Sequence, residues 1–214
     1  MKRLSLFVFA LLLSNLVFGQ TIHIQAGTSL SKLDWQINQV NMDIFNEALI
    51  GSSVFAGMDY FEKKYFNLSS NLGYIRKGGK DLITLTDERG YPIDESTEKA
   101  KLNYVTANTT LELKYPIREK IIPFIGAGPR IDYLISHNNV FDSMDERDVL
   151  NDFNIGLILG GGIKYDLSEF QIGLRADYYL NFANVADWPA ETGYLAGKVK
   201  DKTMTLNMTI GYKL

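Results

Sequence analysis

The segment 203–214 alternates without a break. Met204, Leu206, Met208, Ile210, Tyr212 and Leu214 fall between Thr203, Thr205, Asn207, Thr209, Gly211 and Lys213. Successive side chains of an extended strand point to opposite faces, so one face of this strand is large and apolar and the other small or polar. The pattern recurs upstream. Phe170, Ile172, Leu174, Ala176, Tyr178, Leu180 and Phe182 oppose Gln171, Gly173, Arg175, Asp177, Tyr179 and Asn181. Asp152 to Tyr165, Ile121 to Ile135, Leu102 to Tyr115 and Tyr65 to Lys77 behave alike, and Ser53 to Phe61 and Thr21 to Ser31 do so more weakly. Eight strands are predicted.

Their length and the direction of their polarity narrow the fold. Ordinary strands average about five or six residues, whereas a tilted strand crossing a bilayer needs about 9–11. The connections alternate between short (Glu62 to Lys64, Pro116 to Lys120, Asp166 to Glu169) and long and polar (Lys32 to Ile50, Gly78 to Ala100, Ser136 to Asn151, Ala183 to Asp201). Short periplasmic turns alternating with long outer loops are the mark of a membrane barrel. The polar face carries Glu112, Lys114, Arg130, Asp132, Arg175 and Asp177. An Arg or Lys facing lipid near the midplane would cost about 2–4 kcal/mol, so these six are predicted to line the lumen and pair there. An eight-strand interior is just wide enough to be filled by side chains. The expected fold is all-β: an eight-stranded antiparallel up-and-down transmembrane β-barrel with a filled polar lumen, four long outer loops and three short periplasmic turns. Tyr74, Tyr115, Tyr133, Tyr165, Phe182 and Tyr212 lie toward strand ends with apolar parity, where aromatic belts meet the headgroups.

The ends and the composition agree. Lys2 and Arg3 precede the apolar run Leu4 to Phe18, and Val17-Phe18-Gly19 suits a cleavage site, so residues 1–19 read as a secretory signal peptide and 20–214 as the outer-membrane barrel. Two of the 22 Lys and Arg lie in that leader, leaving 20 against 25 Asp and Glu. Without a basic stripe to neutralise phosphates, no nucleic-acid partner is expected. The absence of Cys excludes a disulfide framework and thiol chemistry.

Four segments carry a resemblance. YFNLSSNLGYIRKGGKD (Tyr65 to Asp81), IIPFIGAGPRIDYLIS (Ile121 to Ser136), DFNIGLILGGGIKY (Asp152 to Tyr165) and FQIGLRADYYLNFANV (Phe170 to Val185) resemble the PorT-like outer-membrane barrels of Bacteroidetes in order and spacing. The resemblance implies an outer-membrane barrel. It does not carry over the role in protein secretion that some of those barrels have.

No catalytic constellation is visible: there is no G-x-S-x-G elbow and no H-E-x-x-H. Nor does any motif call for a cofactor. His23 has lumen parity, and His137 opens the third long connection beside the acidic run Asp142, Asp145, Glu146 and Asp148. That run lacks the EF-hand spacing and its glycine, and reads as a solvated loop. Gly160-Gly161-Gly162 lies inside a strand pattern, where glycine lets the wall bend or admits a large lumen side chain. Two functions stay open. One is a structural or partner-binding barrel acting through its loops, in contact with outer-membrane lipid, lipopolysaccharide and envelope proteins. The other is an accessory of protein secretion or a narrow pore. The loops hold Trp35, Ile44, Phe45, Tyr91, Trp188 and Tyr194 amid charge, and these are the candidate contacts, since aromatic anchors often dominate interfaces. Packing of these rings on one another, or against lipopolysaccharide, is the competing expectation.

Overall fold

A computed structural model describes residues 20–87, 89, 91–117, 120–145, 148–190 and 195–214. The leader read in residues 1–19 lies outside them, as does Tyr194. The strands are β1 (Thr21–Ile37), β2 (Val40–Met42), β3 (Leu49–Tyr60), β4 (Phe66–Thr86), β5 (Pro92–Lys114), β6 (Ile121–His137), β7 (Phe153–Leu167), β8 (Phe170–Asn181), β9 (Ala186–Trp188) and β10 (Gly197–Lys213). Eight of them form an antiparallel ring in the order β1-β3-β4-β5-β6-β7-β8-β10, closed by pairing of β10 with β1 from Thr21↔Lys213 to Ile37↔Gly197. The short strands β2 and β9 hang on β1 and β10 at one end. Closure removes the edges that an open sheet would leave unpaired. Among the described residues no helix is long and apolar enough to cross a membrane.

The alternation is realised inside out. Along β10 Thr203, Thr205, Asn207 and Thr209 are buried, whereas Met204, Leu206, Met208 and Ile210 are exposed, Met208 by 67%. Every wall strand keeps one parity inward, so the ring is apolar without and largely polar within, with Phe55, Ile75, Phe124 and Ile158 as inward-facing apolar residues among the polar ones. Only lipid can cover such a surface. Ring pairs mark both borders of the apolar band: Phe170 and Tyr212 lie 5.3 Å apart near the termini, and Tyr133 and Phe153 lie 4.9 Å apart at the far end. Phe153 and Tyr165 both face outward on β7, twelve residues apart. For a strand tilted by about 40° that separation is about 30 Å along the membrane normal, enough to bridge the hydrocarbon.

The connections at the end bearing the termini are short, as expected. At the other end the structure departs from the sequence reading. The stretch Gly78 to Ala100, expected as a loop, continues β4 and β5 as a paired hairpin up to Thr86↔Pro92. The stretch Lys32 to Ile50 begins as β1 and adds β2, and Ala183 to Asp201 holds β9 and the start of β10. In Ser136 to Asn151, β6 runs on to His137, and a 3-10 turn (Asn139–Phe141) and one helical turn (Asp142–Asp145) follow. Past the bilayer a strand no longer has one face in lipid, so its residues need not alternate. Backbone pairing continues without leaving that mark in the sequence.

Candidate functional site

The barrel interior is packed in three layers, and the six charges expected there can be followed individually. Nearest the termini, Glu112 joins two cations: Lys164 donates to Glu112 Oε2 at 2.7 Å, and Arg175 donates to Glu112 Oε1. Lys164 also donates to Asp59 at 2.7 Å, and Arg175 Nε holds both oxygens of Asp177 at 2.8 Å. Asn67 donates to Glu112 Oε2 at 3.1 Å. Lys114 does not join this group. It pairs at 2.9 Å with Glu62, in the turn between β3 and β4, at the rim.

The second layer is built round Asp132 and Asp201. Lys77 lies 2.7 Å from Asp132 and 3.2 Å from Asp201, and Arg130 donates to Asp132 and to Asn181. Thr106 donates to Asp132 and Thr203 to Asp201, each at 2.8 Å. The cations also lie over rings: Lys77 is 5.0 Å from the centroid of Tyr104, and Arg130 4.8 Å from that of Tyr179. Between the layers His23, Gln25, Asn71 and Asn108 form a polar bridge, with His23 Nε2 2.7 Å from Asn71 Oδ1. A charge taken from water is tolerated only when paired and hydrogen-bonded. Alternation on two sides of a filled ring supplies those partners.

Parity could have placed Lys77 and Lys164 in the lumen, since both sit on polar faces of strands read from the sequence. Asp59 lay on a weakly marked strand and Asp201 in what read as a loop. Gly160 and Gly162 of the glycine triplet belong to the layer of Glu112, Arg175 and Asp177. A Cβ at Gly160 would run into the carboxylate of Asp177, and one at Gly162 would approach the ring of Phe124 to 2.9 Å. Both glycines face inward and leave room for a large neighbour, as the sequence reading allowed.

The third layer closes the far mouth and is apolar. Leu33, Trp35, Leu102, Tyr104, Leu134 and Val199 continue the inward parity of their strands, and Phe45, Phe141, Leu150 and Val185 fold over them. Trp35 lies 6.5 Å from the rings of Phe45, Phe141 and Trp188, stacked on Phe141 at 14°. This corrects the exposed-loop assignment of two residues. Trp35 stands on β1, not in a loop, and it and Phe45 are each only 8% exposed. The physical reason is that connections standing clear of the membrane need a core of their own. Ile44 packs against the same cluster. Trp188 is half-buried on β9 and donates Nε1 to the carbonyl of Leu195 at 2.9 Å. Tyr91 alone among the described candidates is strongly exposed, at 67%, at the tip of the β4–β5 hairpin. His137 lies 3.6 Å from Asp142, and among the described residues no group of three or more His, Asp and Glu converges as a metal site. Glu146 and the side chain of Asp145 lie outside the described residues.

A Trp35→Ala substitution is expected to open this cap while leaving the ring intact. Deleting a large buried aromatic side chain costs about 3–5 kcal/mol. Limited proteolysis of the folded protein should then cut within residues 38–48 at least tenfold faster, with the heat-sensitive gel shift of a closed barrel retained. Unchanged cleavage would mean that the ring does not hold the cap.

Fold and interior together define a small transmembrane β-barrel of the outer membrane. The chain belongs to the outer membrane protein beta-barrel domain family, whose model matches residues 18–187. Among solved structures it is similar to the outer membrane protein OprG from Pseudomonas aeruginosa, with a TM-score of 0.55 at 10% identity over 92% of this chain and 96% of that one. It also matches Ail, the attachment invasion locus protein of Yersinia pestis, with a TM-score of 0.47 at 12% identity over 92% and 99%. Neisserial surface protein A matches with a TM-score of 0.45 at 13% identity over 90% and 97%. No curated protein matches the chain in sequence.

Proposed function

We propose that the protein is a non-enzymatic envelope barrel that recognises a partner protein through the β4–β5 hairpin, with the filled ring serving as its rigid base. The observation that carries this reading is the hairpin itself. Residues 82–86 and 92–97 stand beyond the wall as paired strands, and Leu82, Leu85, Tyr91 and Ile93 are exposed there, Ile93 by 68%. These residues lie past the aromatic border, so bilayer lipid does not cover them. Apolar groups presented on a stiff element are the usual material of a binding surface.

The interior speaks against a pore. The cavity bordered by His23, Lys164 and Arg175 measures about 10 Å³, no more than one water requires, and the apolar cap covers the mouth. On this account residues 1–19 direct export and are removed, and lipid and lipopolysaccharide surround the barrel. Within its family we read the chain as PorT-like on the four segments quoted above. A place beside secretion machinery is then one form that partner recognition takes.

Photo-crosslinking in whole cells tests the reading. A benzophenone side chain at Tyr91 or Ile93 is expected to give a discrete protein adduct, and one at Tyr165, near the opposite border, none with the same protein. Absence of adducts from the hairpin positions in a correctly inserted barrel would sink it.

A further inference from the structure

We propose that the outer edge of β4, from Leu82 to Thr86, is a docking edge that takes up an extended, basic strand of a partner protein. This rests on the reading of the hairpin as the recognition element, and adds how the partner binds and what chemistry it brings.

The hairpin has two edges and they are treated differently. β3 pairs with β4 only as far as Ser53↔Ile75, followed by a single bridge, Glu47↔Lys80. β6 leaves β5 after Leu102↔His137. Just past the second of those points Asn138 still bonds the β5 backbone at Lys101 and Lys99, and beyond Lys80 and Lys99, among the described residues, β4 and β5 pair only with each other. A strand edge with open N–H and C=O groups is a template for another strand, and proteins that must avoid this place charge or proline there. The β5 edge is so guarded, by Pro92, Asp94, Glu95, Glu98 and Lys99. The β4 edge reads Leu82-Ile83-Thr84-Leu85-Thr86, with β-branched and apolar residues and neither device.

The edge is also held in shape. At the tip, Asp87 Oδ1 accepts from the backbone N–H of Arg89 at 2.8 Å and of Tyr91 at 2.9 Å, and Asp87 N donates to the carbonyl of Tyr91 at 2.9 Å. At the base, Gly78 has φ +146° and passes so close to the backbone of Ala100 that a side chain there would collide. A strand fixed in advance loses little freedom when another adds to it.

Charge selects the occupant. Residues 80–99 hold Asp81, Asp87, Glu88, Asp94, Glu95 and Glu98 against Lys80, Arg89 and Lys99, and both lysines sit at the base, so the hairpin beyond them is acidic. Pairing two copies edge to edge would bring two such acidic segments together, so a second copy is disfavoured. The register puts Asp81, Ile83 and Leu85 on one face with Glu98, Ser96 and Asp94, and Leu82 and Thr84 on the other with Thr97 and Glu95. A strand with alternating basic and apolar residues would set its cations beside Asp81 and its apolar side chains beside Leu82.

The test uses the full-length barrel in lipid nanodiscs and a fluorescent eight-residue peptide of alternating Lys and Val, read by anisotropy. Two controls are an alternating Glu and Val peptide, and the Lys–Val peptide N-methylated at its four central residues, which keeps charge and side chains but loses the donors of both strand edges. The expected result is saturable binding of the Lys–Val peptide and at least tenfold weaker binding of both controls. Equal binding of the N-methylated peptide would overturn edge docking, while hairpin adducts in cells would still support recognition by the hairpin. No binding of the Lys–Val peptide would overturn the proposal too. A Thr84→Cys variant that forms a disulfide dimer which the peptide does not suppress would assign the edge to a second copy, again against it.

Discussion

Replacing Glu112 by Ala is expected to destabilise the barrel by about 3–5 kcal/mol, because it leaves buried cations without their shared anion. Glu112 is fully buried and, among the described residues, is the one carboxylate that joins Lys164 to Arg175. Without it Lys164 keeps Asp59 and Arg175 keeps Asp177, but each faces an empty space that water reaches poorly. Glu112→Gln preserves shape and one acceptor while removing the charge, so a smaller loss is expected. Urea unfolding of the protein in lipid vesicles, followed by the unboiled gel band, measures both. A loss below about 1 kcal/mol for the alanine variant, the range of solvent-exposed pairs, would mean that this layer is hydrated rather than packed.

The second large effect lies on the opposite face of the wall. Leu206 is 57% exposed on β10, between Thr28 of β1 and Ala176 of β8. It stands six residues above Tyr212, about 15 Å along the membrane normal for a strand tilted by about 40°, which is close to the middle of the hydrocarbon. Leu206→Arg is therefore expected to cost about 2–4 kcal/mol in the same unfolding measurement. Lys198→Arg, beyond the border, is expected to change stability by less than about 0.5 kcal/mol. Equal tolerance at both positions would place residue 206 in water and remove the reason for the apolar band.

What the sequence disclosed follows from where alternation is enforced. Inside the bilayer each residue of a wall strand faces either lipid or a crowded polar interior. Met204 to Leu214 and Phe170 to Phe182 therefore announce their faces residue by residue, and parity alone put Glu112, Arg130, Asp132, Arg175 and Asp177 inside. Above the border that pressure ends. In Pro92 to Lys99 both faces are wet, the residues are mixed, and a paired strand read as a loop. Trp35 shows the converse. It follows the inward parity of His23, Gln25 and Ser29, but it lies past Ser31, where the weak alternation of the first strand was read as ending, and nothing local signals that the mouth has its own apolar core. Pairings such as Lys114 with Glu62 join a strand to a turn, and alternation carries no information about them.

The most direct test of the inside-out barrel uses the fact that the chain has no cysteine. Single cysteines placed in turn at residues 203 to 210 of β10 and labelled with bimane would be read in vesicles with and without brominated lipid. The expected result is strong quenching at 204, 206, 208 and 210 and little at 203, 205, 207 and 209, a two-residue period locked to the apolar face. Quenching with the opposite parity, or none at any position, would contradict a wall that faces lipid with Met204, Leu206, Met208 and Ile210.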